Sequence, residues 1–325
     1  MSERNQFIDF IRGIAIIAMI LIHVTVFFPS DMIASTLWNW SQFAVPIFLF
    51  CSAYLFIQRD MQREIKLFSY IKKRLVRLVV PYYVFLLFFI PLVFFLTPDV
   101  ITLNYLLESL LVIGGVDISW LVLLFLMLAA LFPLLGWAHK HNKGIFWGYF
   151  VVSLSSALFF LFETPDFSYK WIMWLPWSLL FYFAYWYSLY QEKRKHIVLA
   201  LLFFILVASL TYIEDLLLGQ SVSFRENKYP PNMMYLSFGM ACILLLSFVT
   251  PFLSKIATIR KLIHFFSIYS YDIYFIHYFV LTIFVAYLPQ LNWSWWVLFG
   301  VVLLITVILQ QILIQLRLWH TKRYD

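Results

Sequence analysis

Apolar runs of about twenty residues recur along most of the chain, and this feature restricts its possible folds more than any other. A helix needs about 20 mostly apolar residues to cross a hydrocarbon core that is roughly 30 Å thick. The strands of a membrane barrel would instead alternate between apolar and polar residues, whereas these runs are continuous. The runs predict an all-α polytopic membrane bundle with about ten transmembrane helices, at residues 7–28, 36–57, 79–97, 120–138, 144–162, 170–190, 195–213, 232–252, 267–288 and 293–317.

The composition agrees with a membrane location. Of the 325 residues, 64% are apolar and 12% are charged, about half the charged share of an ordinary soluble domain. Both cysteines, Cys51 and Cys242, lie inside apolar runs, so no disulfide framework is indicated. The stretch Leu103–Ile113 is too short to cross and is predicted to be a re-entrant or interfacial helix. No segment of soluble-domain size separates the runs, which predicts a single integral membrane domain over residues 1–325.

The basic residues predict the orientation of the bundle. If the N-terminus is cytoplasmic, nineteen of the 23 Lys and Arg residues fall in cytoplasmic segments and only Lys170, Arg225 and Lys228 fall outside. This bias follows the positive-inside rule, and an even number of helices then places both termini in the cytoplasm. The net charge of +7 is thus explained by topology and the lipid bilayer, and nucleic acid is not expected as a partner.

The first apolar run contains three ionisable residues, Asp9, Arg12 and His23. An ionisable residue inside a membrane helix costs about 2.5–3.5 kcal/mol on the insertion scale, so each is a candidate functional residue. Asp9 and Arg12 are three residues apart and can pair, while His23 lies close to three turns beyond Arg12 on the same side. The alternative is that Arg12 reaches the interface and His23 bonds a neighbouring helix.

A second polar group lies in the ninth run. Ser270, Tyr274 and His277 are spaced four and three residues apart, which places them on one helix face. Hydrogen bonding between packed helices is the simpler explanation for Ser270. Two histidines could also bind a metal, but no Cys, Asp or Glu stands at ligand spacing in these runs, and we predict no metal site.

The basic segment 58–78 is predicted to be an amphipathic helix that leads into the third run. Such a helix can simply lie among anionic headgroups. However, Arg74 and Arg77 stand directly before Pro81, where fixed guanidinium groups suit a phosphate-bearing ligand from the cytoplasm.

Two weaker signals complete the set of candidate residues. Trp120 opens the fourth run, where an interfacial anchor is favoured over a role in a cavity. Pro46 interrupts the second run and predicts a kink beside a cavity, with Ser52 close by on that helix.

Four segments, in this order, resemble the integral membrane acyltransferase family 3. They are Phe7–Ala15 followed by His23, Val45–Leu55, Arg74-x-x-Arg77 before Pro81-Tyr82-Tyr83, and Ser270–His277. The predicted count of ten helices also agrees with that family.

The resemblance implies an enzyme that transfers an acyl group, commonly acetyl, from cytoplasmic acyl-CoA to a hydroxyl of an extracytoplasmic carbohydrate or lipid-linked sugar. Acyl-CoA would be a co-substrate, with no permanently bound cofactor. The resemblance assigns functional roles to Arg12 and His23 and donor binding to Arg74 and Arg77. It also implies a multi-pass protein of the cell membrane, of the bacterial plasma membrane type. A separate extracytoplasmic transferase or glycan-synthesis protein is a further expected partner.

The chemistry of the residues fits this reaction independently. A sugar hydroxyl must lose its proton as it attacks a thioester, and a neutral histidine suits that general-base role. An acyl-histidine intermediate is equally compatible with the sequence. The main alternative function is an exporter of a surface polysaccharide, although no inverted repeat of short broken helices is present. A scaffolding role is the third alternative, and it leaves Arg12, His23 and His277 inside apolar runs without a purpose.

Overall fold

The computed structural model describes residues 5–61, 63, 66–163, 168–190, 193–218 and 223–324. These residues form α-helices joined by short turns, and they contain no β-strand. The helices are α1 (Gln6–Thr25), α2 (Met32–Trp40), α3 (Ala44–Arg59), α4 (Leu67–Leu96), α5 (Leu103–Leu110), α6 (Ser119–His141), α7 (Lys143–Phe159), α8 (Trp174–Trp177), α9 (Leu179–Leu189), α10 (Lys193–Leu218), α11 (Met233–Leu253), α12 (Ala257–Ile268), α13 (Ser270–Leu291) and α14 (Trp295–Tyr324).

Eight helical stretches among the described residues are long and apolar enough to cross a membrane. They are Gln6–Thr25, Met32–Arg59, Leu67–Leu96, Ser119–His141, Lys195–Leu217, Met233–Leu253, Ser270–Leu291 and Trp295–Trp319. The predicted all-α membrane fold is therefore confirmed, whereas ten transmembrane helices and the location of the termini are not.

The other two predicted crossings are shorter than expected. The run at 144–162 forms α7, which has 17 residues. The run at 170–190 is divided between a 3₁₀ turn at Tyr169–Trp171, α8 and α9. At the break between α8 and α9, the Leu175 carbonyl accepts hydrogen bonds from the hydroxyls of Ser153 and Ser178 at 2.7 and 2.6 Å, so this carbonyl is satisfied although the helix is interrupted.

One compact unit comprises Met1–Gln42, Pro81–Thr102 and Ile256–Asp325. Asn5 begins α1 by accepting hydrogen bonds from the amides of Phe7 and Ile8 at 3.1 and 3.3 Å. Helix α1 packs against α12, α13 and α14. Asn292, in the left-handed conformation with φ of 49°, ends α13 and allows α14 to turn back beside it.

Glycine at position 13 lets α12 approach α1 closely. A Cβ atom at Gly13 would lie 2.3 Å from the carbonyl oxygen of Ile263 and 2.7 Å from its side chain. Only a residue without a side chain fits this crossing, which places α12 directly against the N-terminal half of α1.

The other unit comprises Phe43–Val80 and Leu103–Lys255. Here α3 packs on α9 and α11, and the ring of Pro46 fills the space beside Gly239, where a Cβ would lie 2.4 Å from the proline. Pro46 is the third residue of α3, where its missing amide costs no helical hydrogen bond, and a 3₁₀ turn at Ser41–Phe43 precedes this helix. Cys51 and Cys242 are buried and form no disulfide.

The predicted helix over 58–78 is wrong in its first half. Helix α3 ends at Arg59, because the amides of Asp60 and Met61 both turn back to the Phe56 carbonyl and the Met61 side chain is buried. Helix α4 begins only at Leu67, and residues 62, 64 and 65 of this segment lie outside the described residues. The stretch predicted as a short helix at 103–113 forms α5 and then a turn with Val112 at φ of 61°.

Candidate active site

Helices α1 and α13 bring two histidines into direct contact. His23 Nδ1 lies 2.8 Å from His277 Nε2. The ring planes differ by only 7° and the centroids are 5.1 Å apart, so the two imidazoles meet edge to edge. The sequence predicted His23 and His277 as separate candidates, and the structure joins them.

The backbone of α13 determines which nitrogen carries each proton. His277 Nδ1 lies 2.9 Å from the carbonyl oxygen of Ile273, which can only accept a hydrogen bond. In a neutral pair, His277 therefore carries its proton on Nδ1 and accepts through Nε2. His23 must then donate through Nδ1, so that Nε2 is the nitrogen of His23 that carries the lone pair. In the neutral pair, the basic nitrogen of His23 is therefore Nε2.

Aromatic side chains surround the pair within the same unit. The ring of Tyr274 lies 5.9 Å from that of His277, and Tyr278 presents its edge to His23 at 5.7 Å. Phe89 packs on Tyr278 at 5.6 Å. His277 is fully buried, whereas His23 is only half-buried. Of the two rings, His23 is the more exposed.

The charged residues of α1 do not pair as expected. Asp9 accepts a hydrogen bond from the hydroxyl of Ser267 on α12 at 3.4 Å. No ion pair between Asp9 and Arg12 is found in the described part of the chain. Arg12 is half-buried and lies eleven residues, about 16 Å along the helix, before His23. On α13, Ser270 is the first residue and is also half-buried.

The two arginines before the third apolar run lie on α4. The guanidinium carbon of Arg74 lies 5.2 Å from the ring centroid of Tyr70, which itself packs on the buried Phe56 at 5.8 Å. These contacts hold Arg74 in place, while Arg77 is exposed one turn further along the same helix. A fixed and an exposed guanidinium at this spacing suit a ligand with more than one phosphate.

Trp120 belongs to a buried cluster that the sequence did not predict. The ammonium of Lys228 lies 5.0 Å from the Trp120 ring centroid and 5.1 Å from that of Tyr229. Trp120 is 8% exposed and Lys228 5%, so Trp120 packs against protein rather than anchoring at a lipid interface. Burial lowers the pKa of Lys228 to about 7, although Asp117 nearby acts in the opposite direction.

The predicted site residues fall in both compact units. Asp9, Arg12, His23, Ser270, Tyr274 and His277 lie in the first, and Ser52, Arg74, Arg77 and Trp120 lie in the second. Ser52 is half-buried on α3. The described residues contain no group of three His, Cys, Asp or Glu side chains that could hold a metal ion.

Sequence reasoning also missed two buried polar residues of the last helix, Thr306 and Gln310. The available signal was their spacing, since two polar residues four apart in an apolar run lie on one helix face.

Comparison with known proteins identifies the family. A family model described as an acyltransferase domain, of acyltransferase family 3, matches residues 5–314, nearly the whole chain. No curated protein and no solved structure matches this chain. The matched segment includes α1, α4 and α13, which carry both histidines of the pair and both arginines. The chain therefore belongs to acyltransferase family 3, and with its membrane-length helices it is a membrane acyltransferase.

Proposed function

We propose that this protein transfers an acyl group, acetyl in the simplest case, from cytoplasmic acyl-CoA to a hydroxyl of an extracytoplasmic carbohydrate at the cell membrane. The observation that supports this most is the hydrogen bond between His23 Nδ1 and His277 Nε2 in a chain of an acyltransferase family. In a neutral pair it places the lone pair of His23 on Nε2, the nitrogen that would act as a general base, a role worth about 10²–10⁴-fold in rate.

The proposed step transfers one acyl group and one proton. His23 Nε2 takes the proton of the acceptor hydroxyl while that oxygen attacks the thioester carbonyl carbon. The carbon–sulfur bond then breaks, the ester forms on the acceptor, and the proton on His23 Nε2 passes to the leaving thiolate. His277 does not touch the substrate in this scheme and acts as a positioning residue, since it holds His23 in the required tautomer.

Arg74 and Arg77 are proposed to bind the phosphates of the donor. Guanidinium forks match phosphate oxygens in geometry and stay charged at every relevant pH. The contact of Arg74 with Tyr70 supports this role, because a fixed guanidinium loses less conformational entropy on binding. Arg12, half-buried on the helix of His23, is a further candidate for donor binding.

Direct attack and an acyl-histidine intermediate both use His23 Nε2. In the second course Nε2 attacks the thioester carbonyl carbon and the carbon–sulfur bond breaks, so that the acyl group is carried on this nitrogen. The acceptor oxygen then displaces the imidazole, and the acceptor's proton passes to the thiolate. Incubation with labelled acetyl-CoA followed by rapid denaturation at neutral pH separates the two courses, because only the covalent course leaves label on the protein and an acyl-imidazole is hydrolysed in acid.

The test is acyl transfer by a variant that lacks the proposed base. Membranes containing the protein are incubated with [¹⁴C]acetyl-CoA, and label is measured in the surface glycan fraction. We expect His23→Ala to lower transfer by at least about 10²-fold while the protein still inserts, because the variant lacks the proposed general base. The matched control is His141→Ala, at an exposed histidine at the end of α6, which should transfer as the unaltered protein does.

Retained transfer by His23→Ala would remove His23 from the mechanism. Unmodified glycan that crosses the membrane without gaining label would instead favour the exporter. In that case the polar residues of α1 and α13 would line a transport path rather than a reaction site.

A further inference from the structure

Helix α12 connects to the start of one membrane-length helix and packs on the first half of another. It has 12 residues, too few to cross the hydrocarbon core. The backbone of Ile263 lies against Gly13 of α1, the hydroxyl of Ser267 bonds to Asp9, and α13 follows at Ser270. We therefore expect α12 to lie along one membrane surface, the one that the charge pattern predicts to be cytoplasmic.

The sides of α12 differ in burial and in chemistry. Successive residues of an α-helix turn by about 100°, so residues three and four apart share a side. Ile263, Phe266 and Ser267 are buried and lie on one side, which faces α1 through Ile263 and Ser267. The rest of the helix surface is available to a partner.

A basic side borders the buried one. Arg260, Lys261 and His264 lie on it at spacings of three and four residues, and all three side chains are exposed. Helix α12 contains no acidic residue, and the first one after it, Asp272, pairs with Arg317 at 2.8 Å. The positive charge of Arg260 and Lys261 is therefore not balanced within this helix.

Exposed apolar residues border the basic side. Leu262 is 52% exposed, and Phe265, three residues later, is half-buried. Ile268, the last residue of the helix, is 44% exposed. A helix that presents basic and apolar side chains together is typical of the headgroup layer, where the apolar side chains contact acyl chains and the basic ones reach the phosphates.

We propose that the exposed surface of α12 binds anionic phospholipids, with Arg260 and Lys261 at the headgroup phosphates and Leu262 beside the acyl chains. A phospholipid supplies phosphate and hydrocarbon in one molecule. A free phosphate ion or an acidic soluble protein would leave the exposed apolar side chains in water, which is unfavourable. This binding requires only the membrane location of the chain and does not depend on acyl transfer.

Photo-crosslinking from lipids measures which lipid lies beside α12. The unaltered full chain is placed in nanodiscs of phosphatidylglycerol and phosphatidylcholine in equal amounts, and one of the two lipids carries a diazirine on its acyl chain close to the headgroup. After illumination and digestion with pepsin, crosslinked lipid is counted on the peptides of α12 by mass spectrometry. We expect phosphatidylglycerol to label them at least about twofold more than phosphatidylcholine, because basic residues near a membrane surface attract anionic lipid.

Three double variants test whether charge on α12 causes this preference. Arg260→Gln with Lys261→Gln should bring the two labelling values together. Arg260→Lys with Lys261→Arg keeps both charges and should retain the preference. The matched control is Lys72→Gln with Lys73→Gln, which removes the same charge from exposed positions of α4 and should leave the labelling of α12 as it was.

Equal labelling of α12 by both lipids in the unaltered protein would overturn the proposal. A preference that survives in Arg260→Gln with Lys261→Gln, or one that is lost when both charges are kept, would overturn it as well, since charge would then not determine the contact. Inorganic phosphate added at constant ionic strength should have no effect. If it abolished the preference, Arg260 and Lys261 would belong to a site for a soluble phosphate ligand instead.

Discussion

At the level of single residues, the hydrogen bond that His277 makes to the backbone determines which nitrogen of His23 carries the proton in a neutral pair. The carbonyl of Ile273 fixes the proton on His277, and His277 in turn fixes the proton on His23. A histidine with one orienting partner is a common way to hold a catalytic imidazole in a single tautomer. Here the proposed orienting group is an imidazole, so the proposed mechanism requires no buried carboxylate beside His23.

The contribution of His277 can be measured with two substitutions. We expect His277→Phe to lower kcat by about 10²-fold or more, because His23 loses the acceptor that fixes its tautomer. His277→Gln should retain more activity, since its side-chain oxygen can accept from His23 Nδ1. The KM for acetyl-CoA should stay unchanged in both. Equal losses in the two variants, together with lower unfolding midpoints, would indicate a packing role only.

The residues of this pair were predictable, but their contact was not. Spacing along one helix gives the face on which His23 or His277 lies, and both stood out as ionisable groups in apolar runs. Which helices become neighbours depends on packing between segments 254 residues apart, and no spacing within either helix contains that information. Lys228 was predicted only as a loop cation, because its burial depends on the ring of Trp120 far away in the chain.

At the level of helices, the close crossing of α1 and α12 explains why glycine follows Arg12. The backbone of Ile263 occupies the space that a side chain at position 13 would need. The same crossing brings Ser267 to Asp9, so the glycine also supports the hydrogen bond between these two side chains.

A single added methyl group should therefore have opposite effects at two glycines of this unit. We expect Gly13→Ala to destabilise the protein by about 1–3 kcal/mol, because the helices must separate to admit the new atom. Gly300→Ala on α14 meets nothing within 4 Å and should be neutral or slightly stabilising, since alanine favours the helix. Unfolding midpoints of the two purified variants provide the measurement. An unchanged midpoint for Gly13→Ala would contradict the close crossing.

Helix boundaries were predicted well where one apolar run forms one helix. They were predicted poorly where hydrogen bonds to side chains accompany a break inside an apolar run. The runs at 7–28 and 232–252 correspond closely to α1 and α11. The run at 170–190 is equally apolar, yet it is interrupted at residues 172–173 and again at Ser178, where the serine hydroxyl bonds to the Leu175 carbonyl. Hydropathy measures only the preference for lipid, so it does not detect a break whose polar groups are satisfied inside the protein.

At the level of the whole molecule, the family resemblance found in four segments is confirmed by a match over residues 5–314. The predicted membrane fold is likewise confirmed, with eight helices of sufficient length in the described residues. The organisation of residues 1–325 as one domain, the donor, the acceptor and the roles of the site residues stay predictions.

The stability of the whole protein should depend on pH through Lys228. Its pKa falls from 10.5 to about 7 on burial, so between these values the unfolded chain binds a proton that the folded protein lacks. The free energy of unfolding should therefore rise with pH from about 7 to 10, by up to about 1.4 kcal/mol per pH unit from this residue, and the contribution is lost below pH 7.

Unfolding midpoints at pH 7, 8 and 9 test this expectation. Lys228→Met should flatten the rise, while Lys255→Met, which removes the same charge at an exposed position, should not. Parallel curves for all three proteins would show that the Lys228 amine is protonated in the folded state throughout this range.

The burial of both native thiols has a practical consequence. Cys51 is 1% exposed and Cys242 9%, so water-soluble maleimides should react with neither in the folded protein. Any cysteine introduced at a helix end would then be the only labelled position, and its reaction from one side of a sealed vesicle would report the side on which that end lies. The membrane topology can therefore be mapped with single introduced cysteines in the unaltered chain, without first replacing Cys51 or Cys242.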